Sequence, residues 1–129
     1  MARKNYDSNT KWEPLIGYSR AVKVGDTIRV SGTTATDATG DVVGPGDPYA
    51  QTAQAISNIE AALKELGGEI HHVVRTRIYV VNIQDWPEVG RAHAEVFGEI
   101  RPASTMLEVR RLADPEMLIE IEADAVLTD

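Results

Sequence analysis

The sequence predicts an α+β fold with a mixed sheet and two helices on one face. Three observations carry this. Two β-rich segments precede the first helical pattern, two amphipathic helical stretches flank a third β-rich segment, and two further β-rich segments close the chain, giving the order β-β-α-β-α-β-β. Two helices cannot cover both faces of such a sheet, so they are placed together and the opposite face is left open.

The elements follow from residue chemistry in chain order. Residues 1–14, MARKNYDSNTKWEP, are polar and read as an N-terminal tail, with a single domain over 15–129. SRAVKV at 19–24 partly alternates, Gly25-Asp26 supplies a turn, and TIRVSGT at 27–33 resumes the extended pattern, which predicts a β-hairpin. Residues 34–48, TATDATGDVVGPGDP, read as a long loop with a strand fragment at 41–43. Asp47 and Pro48 then provide an N-cap and first turn. Ala53, Ile56, Ile59, Leu63 and Leu66 form an apolar stripe, and Gly67-Gly68 ends the helix.

VVRTRIYVV at 73–81 is dense in β-branched and aromatic residues and predicts a central strand. Asp85, Pro87 and Glu88 predict a capped helix start, with Val89, His93, Val96 and Ile100 on one face and Arg101-Pro102 as its stop. STMLEVRRL at 104–112 and MLIEIEADAV at 117–126 are the closing strands, joined by a turn in ADPE.

On the last strand, Met117, Ile119, Ile121, Ala123 and Ala125 point one way and Leu118, Glu120, Glu122, Asp124 and Val126 the other. The apolar set is expected beneath the helices. On the strand at 73–81, Arg75 and Arg77 share a face with Val73, Tyr79 and Val81. An open face that mixes charge with apolar bulk predicts a subunit interface, hence a homo-oligomer.

Composition excludes several functions. The chain of 129 residues is 43% hydrophobic with a single Phe, and 20 acidic against 13 basic residues give a net charge of −7. That balance, without a basic stripe, argues against nucleic acid as a partner. With no cysteine there is no disulfide, thiolate nucleophile or thiolate metal ligand. No apolar run approaches the ~20 residues of a membrane span, so a cytoplasmic protein without a membrane partner is expected.

Four groups of residues are candidates for chemistry. The GPGDP stretch at 44–48 lacks phosphate-loop spacing and places a carboxylate at the helix cap, so it reads as plain loop. His71 and His72, adjacent at a strand entrance, are expected to diverge and not to share a metal, while His93 reads as a core histidine with a pocket role still open. No metal site is predicted. Glu120 and Glu122 are spaced as paired carboxylates, but Arg75 and Arg77 have the same spacing, and cross-strand ion pairs are the favoured reading. Ser104 and Thr105 have no nucleophile elbow around them, although a hydroxyl can hold a water or a substrate oxygen.

The stretches YSRAVKVGDTIRVSGT at 18–33, QTAQAISNIEAAL at 51–63, VVRTRIYVVNIQDW at 73–86 and RPASTMLEV with LIEIEADAV resemble the reactive intermediate deaminase (RidA/YjgF) family, over about residues 15–126. The resemblance implies a chorismate-mutase-like α+β fold and a homotrimer whose sheets form a central barrel with small-molecule pockets between subunits. It also implies cofactor-free hydrolysis of 2-imino or enamine acids to 2-keto acids and ammonia. By this resemblance Tyr18, Ser31 and Gly32 line the pocket and Glu120 orients water, with Ser104, Thr105 and Met106 as further ligand-binding candidates.

The family's Pro-Ala-Arg-Ser is here Pro-Ala-Ser-Thr, so Ser104 stands where the carboxylate-binding arginine is expected. Losing one charge-assisted hydrogen bond of ~1.5–3 kcal/mol weakens carboxylate binding by roughly ten- to a hundredfold. Arg101 lies three residues earlier, on the opposite strand face, and reads as a helix-terminal cation; Arg101 and Arg91 are the candidate substitutes. The expectation is a subgroup without the deaminase arginine that binds a small metabolite and hydrolyses a C=N or enamine compound. A non-catalytic metabolite sensor is the alternative, and RNA cleavage is disfavoured by charge.

Overall fold

A computed structural model describes residues 2–128. Its strands are β1 (Arg3–Tyr6), β2 (Ala21–Val24), β3 (Thr27–Thr33), β4 (Val73–Val80), β5 (Ala103–Glu108) and β6 (Ile119–Val126). Its α-helices are α1 (Trp12–Ile16), α2 (Pro48–Glu65) and α3 (Trp86–Phe97). The strands form one mixed sheet in the order β1-β2-β3-β6-β4-β5, antiparallel except for the parallel β4–β5 pair. The predicted α+β class and the β-β-α-β-α-β-β core order hold.

Helices α2 and α3 pack against each other, and α2 lies over β3 and β6. The alternation of β6 is realised: Ile119, Ile121, Ala123 and Ala125 are buried in the core, with Ile56, Ile59 and Leu63 of α2 and Val89 and Phe97 of α3. Asp47 caps α2 by accepting from the Ala50 N–H at 3.0 Å.

Several expectations are corrected. The N-terminal segment is not a bare tail, because Arg3–Tyr6 pair antiparallel with Ala21–Val24 and Trp12–Ile16 form a helical turn. An edge strand reading RKNY offers no hydrophobic alternation, since its backbone hydrogen bonds hold it, Arg3, Lys4 and Asn5 stay exposed and Tyr6 alone packs on the core. Ala53 is exposed and Ala55 takes its place in the core. At 100° per residue, Ala53 lies about 120° from Ile59, beyond the edge of the stripe. On α3, Val96 is exposed and Phe97 is buried instead, its ring 4.6 Å from that of His93. Asp85 makes no side-chain cap; Glu88 pairs with Arg91 at 2.7 Å.

Val73 is buried in the core and does not share a face with Arg75 and Arg77. A register irregularity between Val73 and Arg75 inserts Val74 as the extra residue and reverses the alternation there. β5 and β6 are not neighbours, since β4 lies between them, and the segment after Glu108 leaves the sheet. The fragment at 41–43 contributes one isolated bridge, Thr36 to Val42. His71 and His72 fall in a 3₁₀ turn, so their rings lie 4.1 Å apart, tilted by 41°, and do not diverge.

Candidate functional site

Glu120 lies on the open face of β6, opposite Tyr79, two residues from Glu122. The two carboxylates have different surroundings. Glu122 accepts from the Tyr79 hydroxyl at 2.8 Å and lies 3.6 Å from Arg77, which also reaches Asp124 at 3.3 Å. Arg29 adds a 3.3 Å contact to Asp124. The predicted cross-strand ion pairing therefore describes Glu122, Asp124 and Arg77, while Arg75 makes no ion pair among the described residues. Glu120 stands apart. Among the described residues no protein group donates a hydrogen bond to its carboxylate, and it faces a cavity of about 1080 Å³.

That cavity is built where β3 loses its regular register. The pairing of β3 with β6 shifts between Val30 and Thr33. Within this irregularity Gly32 lies against Glu120: a Cβ at position 32 would sit 2.5 Å from Glu120 Oε2. Glycine is needed there for close approach and not for its dihedral freedom. The other walls come from the N-terminal segment (Tyr6, Ser8, Thr10, Trp12), from Tyr18 and Arg20, from residues 33–42, from Gln54 and Asn58 of α2, and from Asp114 and Met117 before β6. The Asn58 side chain fastens the 34–36 loop by donating to the Thr34 and Thr36 carbonyls at 3.0 and 2.9 Å.

Sequence reasoning missed Arg20 and Glu13. Arg20 is 6% exposed and Glu13 2%, and they form an ion pair at 3.5 Å. Glu13 accepts from the Ser8 N–H and hydroxyl and from the Thr10 hydroxyl, at 2.8, 2.6 and 2.6 Å. Burial opposes its ionisation, but the Ser8 and Thr10 hydrogen bonds and the Arg20 charge outweigh it, holding its carboxyl below the ordinary glutamate value. The available signal was a charged Glu13 in the segment read as tail and Arg20 inside the 18–33 motif read as hairpin; nothing in their spacing announces a contact.

Burial pushes the Glu120 carboxyl above the ordinary glutamate value; Arg20 opposes this and Glu122 adds to it. A partly buried carboxyl with a raised pKa beside an open cavity is a stronger base than an ordinary glutamate, suited to take a proton from water and return it.

The remaining sequence candidates fall into different places. Ser31 donates its hydroxyl to the Ser19 carbonyl at 2.7 Å and ties β3 to the segment leading into β2. Ser104 and Met106 point to the helix side of β5, while Thr105, paired with Arg77, is on the open side. Buried Thr76 bridges Ser104 Oγ at 2.8 Å and His93 Nε2 at 2.9 Å. Burial lowers the His93 pKa below its ordinary value, so its ring is held neutral. Arg101 is exposed with φ of 55°, its N–H donating to the Phe97 carbonyl at 2.8 Å, which makes it the left-handed end of α3. Arg91 is committed to Glu88 and stacks over Tyr49. Within one chain the cavity thus gathers Tyr18, Gly32 and Glu120 and leaves out Ser31, Ser104, Thr105, Met106, Arg101 and His93. No group of three or more His, Asp or Glu among the described residues is placed to hold a metal ion.

The pattern of the Endoribonuclease L-PSP family matches residues 9–127. The chain belongs to this family, RidA/YjgF. Among RidA/YjgF structures, that of Rv2704 from Mycobacterium tuberculosis superposes with a TM-score of 0.90 at 45% identity, covering 98% of this chain and all (100%) of that one. An uncharacterized protein of Streptomyces coelicolor is 40% identical over 125 residues, 96% of this chain and 92% of the relative. The 3-aminoacrylate deaminase RutC of Acinetobacter baylyi is 36% identical over 112 residues, 87% of this chain and 88% of the relative. No helix among the described residues is long and apolar enough to cross a membrane.

Proposed function

We propose that this RidA/YjgF protein binds a small C=N or enamine compound in the Glu120 cavity and hydrolyses it without a cofactor, and that it is not a standard 2-imino acid deaminase. One observation carries the reading: the cavity has a carboxylate without a protein partner but no buried cation free to hold an anionic ligand. Arg20 donates all five of its N–H bonds to the protein, and Lys11, the other cation of the wall, is exposed to solvent 4.6 Å over the Trp12 ring. The RutC relative acts, by its name, on an enamine that carries a carboxylate. This chain keeps what an enamine or imine needs and lacks what the carboxylate needs, with Ser104 at the expected arginine position.

In the proposed reaction Glu120 holds a water beside the imine carbon and takes its proton as the oxygen attacks. The imine nitrogen takes a proton from solvent as the bond to oxygen forms, the proton held by Glu120 then passes to the carbinolamine nitrogen, the C–N bond breaks to release ammonia, and the hydroxyl proton returns to solvent as the carbonyl forms. An enamine first becomes its imine by protonation at carbon. The water is consumed and the carboxylate is regenerated.

The proposal includes a cytoplasmic homotrimer. The open sheet face carries Leu107 and Val24, 42% and 41% exposed, among charges, and β5 is an edge strand. Contacts from Ser104, Thr105 and Met106 to a ligand then belong to a neighbouring subunit's cavity. Light scattering after size exclusion checks the assembly, with a monomer at micromolar concentration contradicting it.

The test is hydrolysis of freshly generated 2-iminobutyrate and of its amide analogue, beside an arginine-containing relative. The proposal expects turnover of the amide and at least a tenfold deficit on the carboxylate. Equal rates on 2-iminobutyrate refute it. Binding with no turnover in the wild-type protein, and loss of affinity alone in Glu120→Gln, support the sensor reading that the missing cation equally permits.

A further inference from the structure

We propose that Arg20 is the positioning residue of this cavity, fixing the two groups that face it, the Tyr18 hydroxyl and the Glu120 carboxylate. The inference deepens the proposed hydrolysis and rests on it for its kinetic consequences only.

Arg20 is buried, and each N–H of its guanidinium meets an acceptor. Nε donates to Ser8 Oγ at 3.3 Å, Nη1 to the Gly32 carbonyl and to Thr33 Oγ1 at 3.2 Å, and Nη2 to Glu13 Oε2 at 3.5 Å and Tyr18 Oη at 3.3 Å. A guanidinium has five N–H bonds and no acceptor, so this side chain cannot bind a ligand directly without giving up a protein partner. It connects the segment before α1, the residues before β2 and the irregular end of β3, which are three walls of one cavity.

Two consequences follow from the donor count. Tyr18 Oη accepts from Arg20, so the phenol's own proton is left to donate, and the cation 5.5 Å from the ring centre fixes where the ring lies. The bond to the Gly32 carbonyl pins the backbone against which the Glu120 carboxylate rests. The charges facing Glu120 are Arg20, which favours its ionised form, and Glu122, which opposes it. Tyr18 and Glu120 then present one donor and one acceptor to a ligand, the complement needed to protonate a leaving nitrogen while a water is deprotonated.

Removing Arg20 alone orphans Glu13, so the test pairs Arg20→Gln with Glu13→Gln/Arg20→Gln, which removes both buried charges, and with Arg20→Lys. Carbon-detected NMR of the Glu120 side-chain carboxyl follows its titration without any substrate. Its midpoint is expected to move to higher pH in the double variant and to return part of the way in Arg20→Lys. An unchanged midpoint overturns the proposal whether or not the protein turns anything over.

With the amide imine as probe, Tyr18→Phe and the double variant are each expected to lower kcat roughly a hundredfold, the typical effect of removing one aimed donor, with KM little changed. Adding Tyr18→Phe to the double variant should cost little beyond the double variant alone, because the Tyr18 arrangement is already lost there, and additive losses overturn the claim that Arg20 acts through Tyr18. A Glu120 midpoint that shifts in the double variant while the wild-type protein shows no turnover keeps the Arg20 arrangement and removes the hydrolytic reading, so the two failures are distinguishable.

Discussion

Gly32→Ala separates the site from the fold. The added Cβ would lie 2.5 Å from Glu120 Oε2 and 2.9 Å from its Cδ. An ordinary carbon contact is about 3.5 Å, so the carboxylate must withdraw by about 1 Å. The atoms displaced are the end of a flexible side chain that accepts no hydrogen bond from the described residues, so the retreat costs little stability. Alanine also restricts the unfolded chain, worth about 0.4–1 kcal/mol in favour of folding. Hydrolysis is far less tolerant, since a 1 Å misplacement of a reacting group costs on the order of a hundredfold in rate. The assay pairs thermal unfolding with turnover of the amide imine. A Tm within a few degrees of wild type and kcat down about a hundredfold are expected. Full activity in Gly32→Ala refutes the claim that Glu120, held at this distance, positions the water.

Three further outcomes follow from the same geometry. Glu13→Ala leaves Arg20 as a buried unpaired cation and should cost about 3–5 kcal/mol in chemical denaturation; because the Glu13 pKa is lowered on folding, its contribution is present above the ordinary glutamate value and is lost as pH falls through the folded value. His93, whose pKa is lowered by burial, stabilises the fold above its ordinary value near 6.5 and withdraws that contribution as pH falls below it, so wild type should lose stability from pH 7 toward 5 and His93→Gln should flatten that slope in urea midpoints. Ser104→Arg should raise 2-iminobutyrate turnover at least tenfold if the missing cation is what limits it, measured by ammonia release.

The fold was legible because its main signals are local and periodic. β6 alternates without interruption, and its faces came out as expected. The Asp47-Pro48 start of α2 is read directly from the chain. What was missed has no local signature. The bulge that buries Val73 depends on pairing with Ala125, 52 residues away, and β1 is held by backbone hydrogen bonds that side chains do not encode. The site was legible in part: Tyr18, Gly32 and Glu120 come from the resemblance and do meet in one cavity. Spacing alone treated Glu120 and Glu122 alike, yet only Glu122 has a tyrosine and an arginine for partners. Arg20 escaped because a lone arginine in a hairpin reads as a solvated charge, and only the return of the N-terminal segment buries it.

The central claim is that the Glu120 cavity accepts uncharged ligands and discriminates against carboxylates. Calorimetric titration of the wild-type protein with 2-oxobutanamide and with 2-oxobutyrate, the stable products of the two imines, tests it most directly. The amide is expected to bind more tightly, because the carboxylate must give up its hydration beside the Glu120 carboxylate with no buried cation free to receive it. Equal or tighter binding of the carboxylate contradicts the account.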